Sequence, residues 1–177
     1  MKKLLSIALL ATGLMTAIHS TAQEKTEDKS KRPSPPAKVT QKIKSGATIS
    51  IDYSQPSIKG RTIGKDVEPM DGKVWRTGAN EATVFETDKE VTIQGHKLPA
   101  GKYGLFTIFN GNDVTVIFNK TWKQWGAFTY KEADDLFRIK TKATDEKSSS
   151  EKMTFKISPA GVVTLLWGPK KVDFDVK

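Results

Sequence analysis

The chain has 177 residues, 29 Lys and Arg against 20 Asp and Glu, two His and no Cys, for a formal charge of +9. This length suits one domain, and 37% hydrophobic with 28% charged residues excludes a disordered chain or a protein built of membrane spans. The lack of cysteine removes disulfide frameworks, thiolate metal centres and cysteine nucleophiles together.

The first segment reads as an address. Met1-Lys2-Lys3 is a basic start, Leu4 to Ile18 is apolar, and Ser20-Thr21-Ala22 puts small residues where a signal peptidase cuts. The pattern predicts a secretory signal peptide over 1–22, and the run falls short of the roughly 20 apolar residues a membrane span needs. Cleavage would remove Lys2, Lys3 and His19, lower the charge to +7 and leave His96 as the single histidine. A multi-histidine metal site or a catalytic histidine pair within one chain is then excluded. The expected location is the periplasm or exterior of a Gram-negative bacterium, with no membrane span after cleavage. Residues 23–37, QEKTEDKSKRPSPPA, are polar and carry Pro33, Pro35 and Pro36, which predicts a proline-rich tether ahead of one domain over 38–177.

From Lys38 the apolar residues recur mostly every second position, the period of strands. Ala47, Ile49, Ile51 and Tyr53 alternate with polar residues, as do Val91 and Ile93, before a turn over Gly95–Gly101. Leu105–Phe109 and Val114–Phe118 flank Asn110-Gly111-Asn112-Asp113, a hairpin signal. Phe137, Ile139, Thr141 and Ala143 face one side, with Arg138, Lys140 and Lys142 on the other. A polar loop is predicted over Asp145–Glu151, then a strand through Met153, Phe155 and Ile157. Val162–Trp167, apolar on both faces, reads as a central strand, and Val172, Phe174 and Val176 close the chain. Helix is expected only near Lys131–Leu136. The pattern predicts an all-β fold, a single jelly-roll-like β-sandwich of about ten short antiparallel strands.

Charge is spread along the chain. Its one stripe, Arg138, Lys140, Lys142, Lys152 and Lys156, reads as a solvated sheet face, so no nucleic-acid partner is assigned. The nucleophile elbow, phosphate-binding glycine loops and the H-E-x-x-H zinc helix are all absent. Ser149-Ser150-Glu151-Lys152 has S-x-x-K spacing, but lies in a low-complexity stretch. No catalytic residue, metal site or cofactor is assigned.

One block is denser in chemistry. Gly72 to Thr83, GKVWRTGANEAT, concentrates Trp, Arg, Asn and Glu between glycines just before a strand. Such a loop can present a guanidinium, an amide and a carboxylate to one small ligand. The candidate ligand-binding residues are Arg61, Trp75, Arg76, Asn80 and Glu81, with Arg76 as a bidentate anchor. The alternative is architecture, with Arg76 and Asn80 satisfying carbonyls and Trp75 plugging the sandwich end. A second dense stretch, Asn119–Tyr130, holds Trp122, Trp125, Phe128 and Tyr130, read as core.

Several stretches together resemble the DUF2911 family: Tyr53-Ser54-Gln55-Pro56 with Lys59-Gly60-Arg61, Val74 to Thr83, Leu98 to Ile108, Val116 to Lys120, and Gln124 to Phe128 with the acidic Glu132–Asp135. The resemblance runs from about Pro35 to the C-terminus. It implies an exported protein, mostly found in Bacteroidetes, and adds no reaction. Gln55 stands where the family usually has a basic residue, and Met70-Asp71-Gly72 where it has an aromatic-Gly pair. If a basic residue at 55 helped to bind an anion, this chain would do so less well. Three functional readings follow: a binding module for a small polar or anionic ligand, an envelope structural or protein-interaction domain, and a hydrolase using Glu81 as general base. Oligomeric state is not legible.

Overall fold

In the computed structural model, which describes residues 27–177, ten strands follow one another. They are β1 (Pro36–Lys42), β2 (Thr48–Ser54), β3 (Val74–Trp75), β4 (Ala79–Thr87), β5 (Val91–Ile93), β6 (His96–Leu98), β7 (Gly101–Asn110), β8 (Asp113–Asn119), β9 (Asp135–Ile157) and β10 (Val162–Asp175). Among the described residues helix is confined to two 3-10 turns, Lys29–Lys31 and Glu132–Asp134, the second inside the stretch predicted to be helical. The expected signal peptide lies outside the described residues. Among the described residues, no helix is long and apolar enough to cross a membrane.

The main sheet is antiparallel in the order β1-β2-β4-β7-β8-β9-β10, with β3 also paired to β7, while β5 and β6 form a separate hairpin. The sheet curls on itself. Ser57, just beyond β2, bridges Lys152 in the second half of β9, and Met153 N donates to Pro56 O at 3.0 Å. One apolar core is thereby enclosed by a single sheet folded over. Ile51 of β2, Phe85 of β4, Leu105 of β7, Phe118 of β8, Phe155 of β9 and Leu165 of β10 all meet in it. Across it Tyr53 and Phe155 pack edge to face with ring centroids 5.1 Å apart, as do Phe85 and Phe118 at 5.3 Å. The all-β expectation holds, and on β9 Lys140, Lys142, Lys152 and Lys156 point outward as the alternation predicts.

Several local expectations change. The loop predicted over Asp145–Glu151 is part of β9, which runs on to Ile157 and pairs irregularly with β10 there. These side chains are almost all exposed, so apolar alternation has nothing to report although the backbone stays extended. β9 and β10 are accordingly long rather than short. Val162–Trp167 is not central: β10 pairs with β9 alone, and Val162, Thr164 and Leu166 are only half-buried on its outer face. Inward positions are odd-numbered up to Trp167 and even-numbered from Val172. Bulging around Gly168, at φ +58°, makes that switch. The turn after β5 is only Gln94-Gly95, both at positive φ, so His96–Leu98 is a strand rather than part of the turn. In the β7–β8 hairpin Asn110 pairs with Asp113, which makes Gly111-Asn112 the turn.

Candidate functional site

Val74 and Trp75 pair with Ile108 and Thr107 of β7, and the chain rejoins β7 only at Thr83, opposite Leu105. Residues 76–82 are therefore an excursion from the sheet edge, closed at its neck by Thr83 N donating to Arg76 O at 3.2 Å. The polar groups around its neck are paired. Trp75 Nε1 donates to Gly78 O at 3.0 Å, Thr83 Oγ1 to Thr77 O at 2.8 Å, and the Thr77 and Thr107 hydroxyls meet at 3.1 Å. At Gly78 a Cβ would stand 2.9 Å from Thr83 Oγ1 and 3.2 Å from Ser54 O, so the close turn requires glycine. Thr77, fully buried, is held at φ +51°, a conformation rare for a β-branched residue.

The Arg76 guanidinium is the group this loop leaves over. Among the described residues its buried Nε has no hydrogen-bond partner and the guanidinium makes no ion pair. Burial lowers its pKa, with the Glu68 carboxylate acting in the opposite direction. On one side an Nη1 lies 3.7 Å from where a Cβ would stand at Gly126. On the other lies a cleft of about 320 Å³, lined by Arg76, Trp75 and Arg61 with Asp66, Glu68, Met70 and Trp167.

The segment after β2 supplies half of that cleft's lining and is pinned at several points. Ile58 N donates to Glu151 O at 2.9 Å, Lys59 N to Glu151 Oε1 at 2.8 Å, and Gly72 N to Phe109 O at 2.8 Å. Trp167 Nε1 donates to Glu68 O at 2.7 Å, which ties β10 to the cleft wall. Arg61 is exposed, with Nε on Ile58 O at 3.0 Å and Nη2 on Ser57 O at 2.7 Å, leaving Nη1 for another partner. Trp75 is 1% exposed and serves as a wall. The structure thus brings Arg61, Trp75 and Arg76 together.

Asn80 and Glu81 lie elsewhere. Val84 is opposite Asp52 on β2 but Ala79 is opposite Ser54, so the residues between bulge outward, with Asn80 at φ +55°. The bulge pairs with the loop after β8: Gly126 N donates to Asn80 O at 2.9 Å, Ala82 N to Gln124 O at 3.0 Å, and Glu81 bridges Trp125. On this face residues 27–35 lie as an ordered strap, where the composition predicts a free tether. Asn80 Nδ2 donates to Ser34 O at 2.9 Å, and Glu81 accepts from Lys29 Nζ at 2.8 Å and from Arg32 Nη1 at 2.9 and 3.0 Å. The Arg32 side chain, 11% exposed, stands 5.5 Å over the Trp125 ring. Ionic and hydrogen-bonding contacts hold the strap rather than apolar burial, so composition does not reveal it. β1 begins at Pro36, two residues before the expected start of the domain.

Burial alone would raise the Glu81 pKa, but hydrogen bonds from Lys29, its own backbone and Arg32 outweigh it and hold the carboxyl at about 2. So acidic a group is a weak general base near neutral pH, which removes support for the hydrolase reading. The stretch expected as core is largely a surface loop: Phe128 is 84% exposed and Trp125 53%. Its base is anchored by buried Asn119, whose Nδ2 reaches Lys131 O at 3.1 Å and Asp135 Oδ1 at 2.7 Å. Gln55 Nε2 donates to Met153 O at 2.9 Å, so position 55 ties β2 to β9 and is not part of the cleft lining. The sequence carries no signal for Asp66, Glu68 and Trp167 as lining of this cleft, because no motif links positions so far apart.

A family model described as a protein of unknown function, DUF2911, matches residues 34–176. No curated protein and no solved structure matches the chain significantly.

Proposed function

This chain belongs to the DUF2911 family, which carries no assigned activity, and from its cleft we propose an exported binding protein for a small polar or anionic ligand, anchored by Arg76. The observation that carries this reading is the half-buried Arg76 guanidinium, which has no partner among the described residues while the polar side chains around it are paired. Withdrawing a charged donor from water without a partner is unfavourable, and a carboxylate or phosphate would accept parallel bonds from it. Export rests on the N-terminal pattern of residues 1–22.

The test is a thermal-shift screen of the mature chain against phosphate, sulfate, acetate, succinate, sugar phosphates and nucleotides, with Arg76→Met alongside. A ligand at 100 times its Kd adds about 2.7 kcal/mol, a rise of several degrees at this size. Arg76→Met is expected to abolish that rise while its own Tm stays level or increases, because an orphaned donor is removed. A Tm falling by about 5 °C or more would make Arg76 architecture instead.

A second reading, protein interaction in the envelope, draws on the exposed Trp125 and Phe128. It predicts that Phe128→Ser abolishes a partner captured by the wild-type chain while leaving small-anion binding intact.

A further inference from the structure

The cleft carries charges of both signs that do not meet. Arg61, Arg76, Asp66 and Glu68 all line it, yet among the described residues none of the four has an opposite charge within 4.0 Å. Elsewhere on the molecule opposite charges close readily, as in Arg32 with Glu81 at 2.9 Å and Arg138 with Asp135 at 2.7 Å. Here the backbone holds the carboxylates in place. Glu68 Oε2 accepts from Met70 N at 2.7 Å and Asp66 Oδ2 from Thr62 N at 2.8 Å, which leaves one oxygen of each without a backbone donor. Arg61 is likewise turned onto two carbonyls at the rim.

Arg76 and Glu68, both half-buried, are the inner pair. They are near enough for the Glu68 charge to act on Arg76 without contact. A simple anion on Arg76 would bring negative charge towards Glu68, and a simple cation on Glu68 would approach Arg76. A molecule carrying both charges satisfies both walls at once. The remaining lining includes Val67, Met70, Trp75 and Trp167, an apolar share suited to a short side chain. At about 320 Å³ the space is at the small end for ligand sites.

We propose that this cleft takes a small zwitterion of the α-amino-acid class, with its carboxylate on Arg76, its ammonium on Glu68 and its side chain against Met70 and Trp167. The inference rests on the anion-anchoring reading of Arg76 and narrows it.

The experiment is isothermal titration of the mature chain with the standard L-amino acids. The best binder is then compared with its two halves, the matched acid without the amine and the matched amine without the acid; for L-leucine these are 4-methylpentanoate and 3-methylbutylamine. Phosphate and succinate run beside them. The amino acid is expected to bind at least about tenfold more tightly than either half. Glu68→Gln, whose amide oxygen can still accept from Met70 N, is expected to erase the advantage over the acid without weakening the acid itself. Arg76→Met is expected to erase both. An acid, phosphate or succinate that binds as well as every amino acid, or a preference that survives Glu68→Gln, overturns the zwitterion inference and leaves the anion-binding function standing. No binding by any of these probes overturns the zwitterion inference, and a thermal-shift screen that also finds no ligand overturns the anion-binding function with it.

Discussion

Thr77 and Asn80, at φ +51° and +55°, place two strained non-glycine residues within four positions. Each costs of order 1–3 kcal/mol and persists only where its surroundings over-determine it. For Thr77 the surroundings include the Thr107 hydroxyl at 3.1 Å, in a fully buried setting. Thr77→Val keeps the side-chain shape and strands the Thr107 hydroxyl, so urea unfolding should show a loss of about 1–2 kcal/mol. Adding Thr107→Val should restore most of it, because neither hydroxyl of the pair is then stranded and the other bond lost, from Thr77 Oγ1 to Trp75 O, is long at 3.4 Å. Additive losses in the double variant would show that the hydroxyl contact does not hold the loop. The sequence showed that residues 72–83 are dense in chemistry. It could not show that a bulge at Asn80 divides them, sending Arg76 to one face and Glu81 to another, because positive φ at Thr or Asn leaves no mark comparable to glycine.

At the scale of elements, the strap is the feature that reading by composition loses. Its docking is ionic, so it is tied to pH through Glu81. The folded carboxyl sits at about 2 against an ordinary value of 4.5, a depressed pKa. Its stabilising contribution is therefore complete above about pH 4.5 and is lost as pH falls towards 2. Glu27 is lowered as well, first by its hydrogen bond from Arg32, and titrates in the same direction. Because Arg32 covers Trp125, the fluorescence difference between the wild type and Trp125→Phe should change across that acid window. Glu81→Gln should show the undocked signal already at pH 7, and an identical wild-type and Glu81→Gln signal there would refute strap docking through this carboxylate.

The C-terminal end of the sheet depends on a different element contact. Val176 N donates to the carbonyl of Gly161 at 2.9 Å; Gly161 sits at φ +92°, and a Cβ there would collide with Val176 O. Gly161→Ala should cost about 3 kcal/mol or more in urea unfolding, and a change under about 1 kcal/mol would mean that this end of the chain yields. Strands with one face inward, such as β2 and the first half of β9, were legible from alternation. The middle of β9 was not, because with both faces exposed its ladder is written only in the backbone.

For the whole molecule, a single curled sheet explains both what was readable and what was not. Alternation reports which residues face the core, and Ile51, Phe85, Leu105, Phe118 and Phe155 do so. It does not report which stretches meet when the sheet folds over. The cleft is made by that meeting: residues 61–70 come from the connection after β2, Trp75 and Arg76 from the sheet edge, and Trp167 from the last strand. Family membership covers all of these positions without assigning them a role.

The proposed anchoring of a ligand by the Arg76 guanidinium can be watched directly at its Nε–H. In an arginine-selective 15N–1H spectrum of residues 23–177, the resonance lost in Arg76→Met identifies that group. Titration with the anions and amino acids named above should shift it downfield, with a saturation curve that follows binding measured calorimetrically. A resonance that stays fixed while a ligand binds would place the ligand elsewhere and contradict the assignment of Arg76 as its anchor.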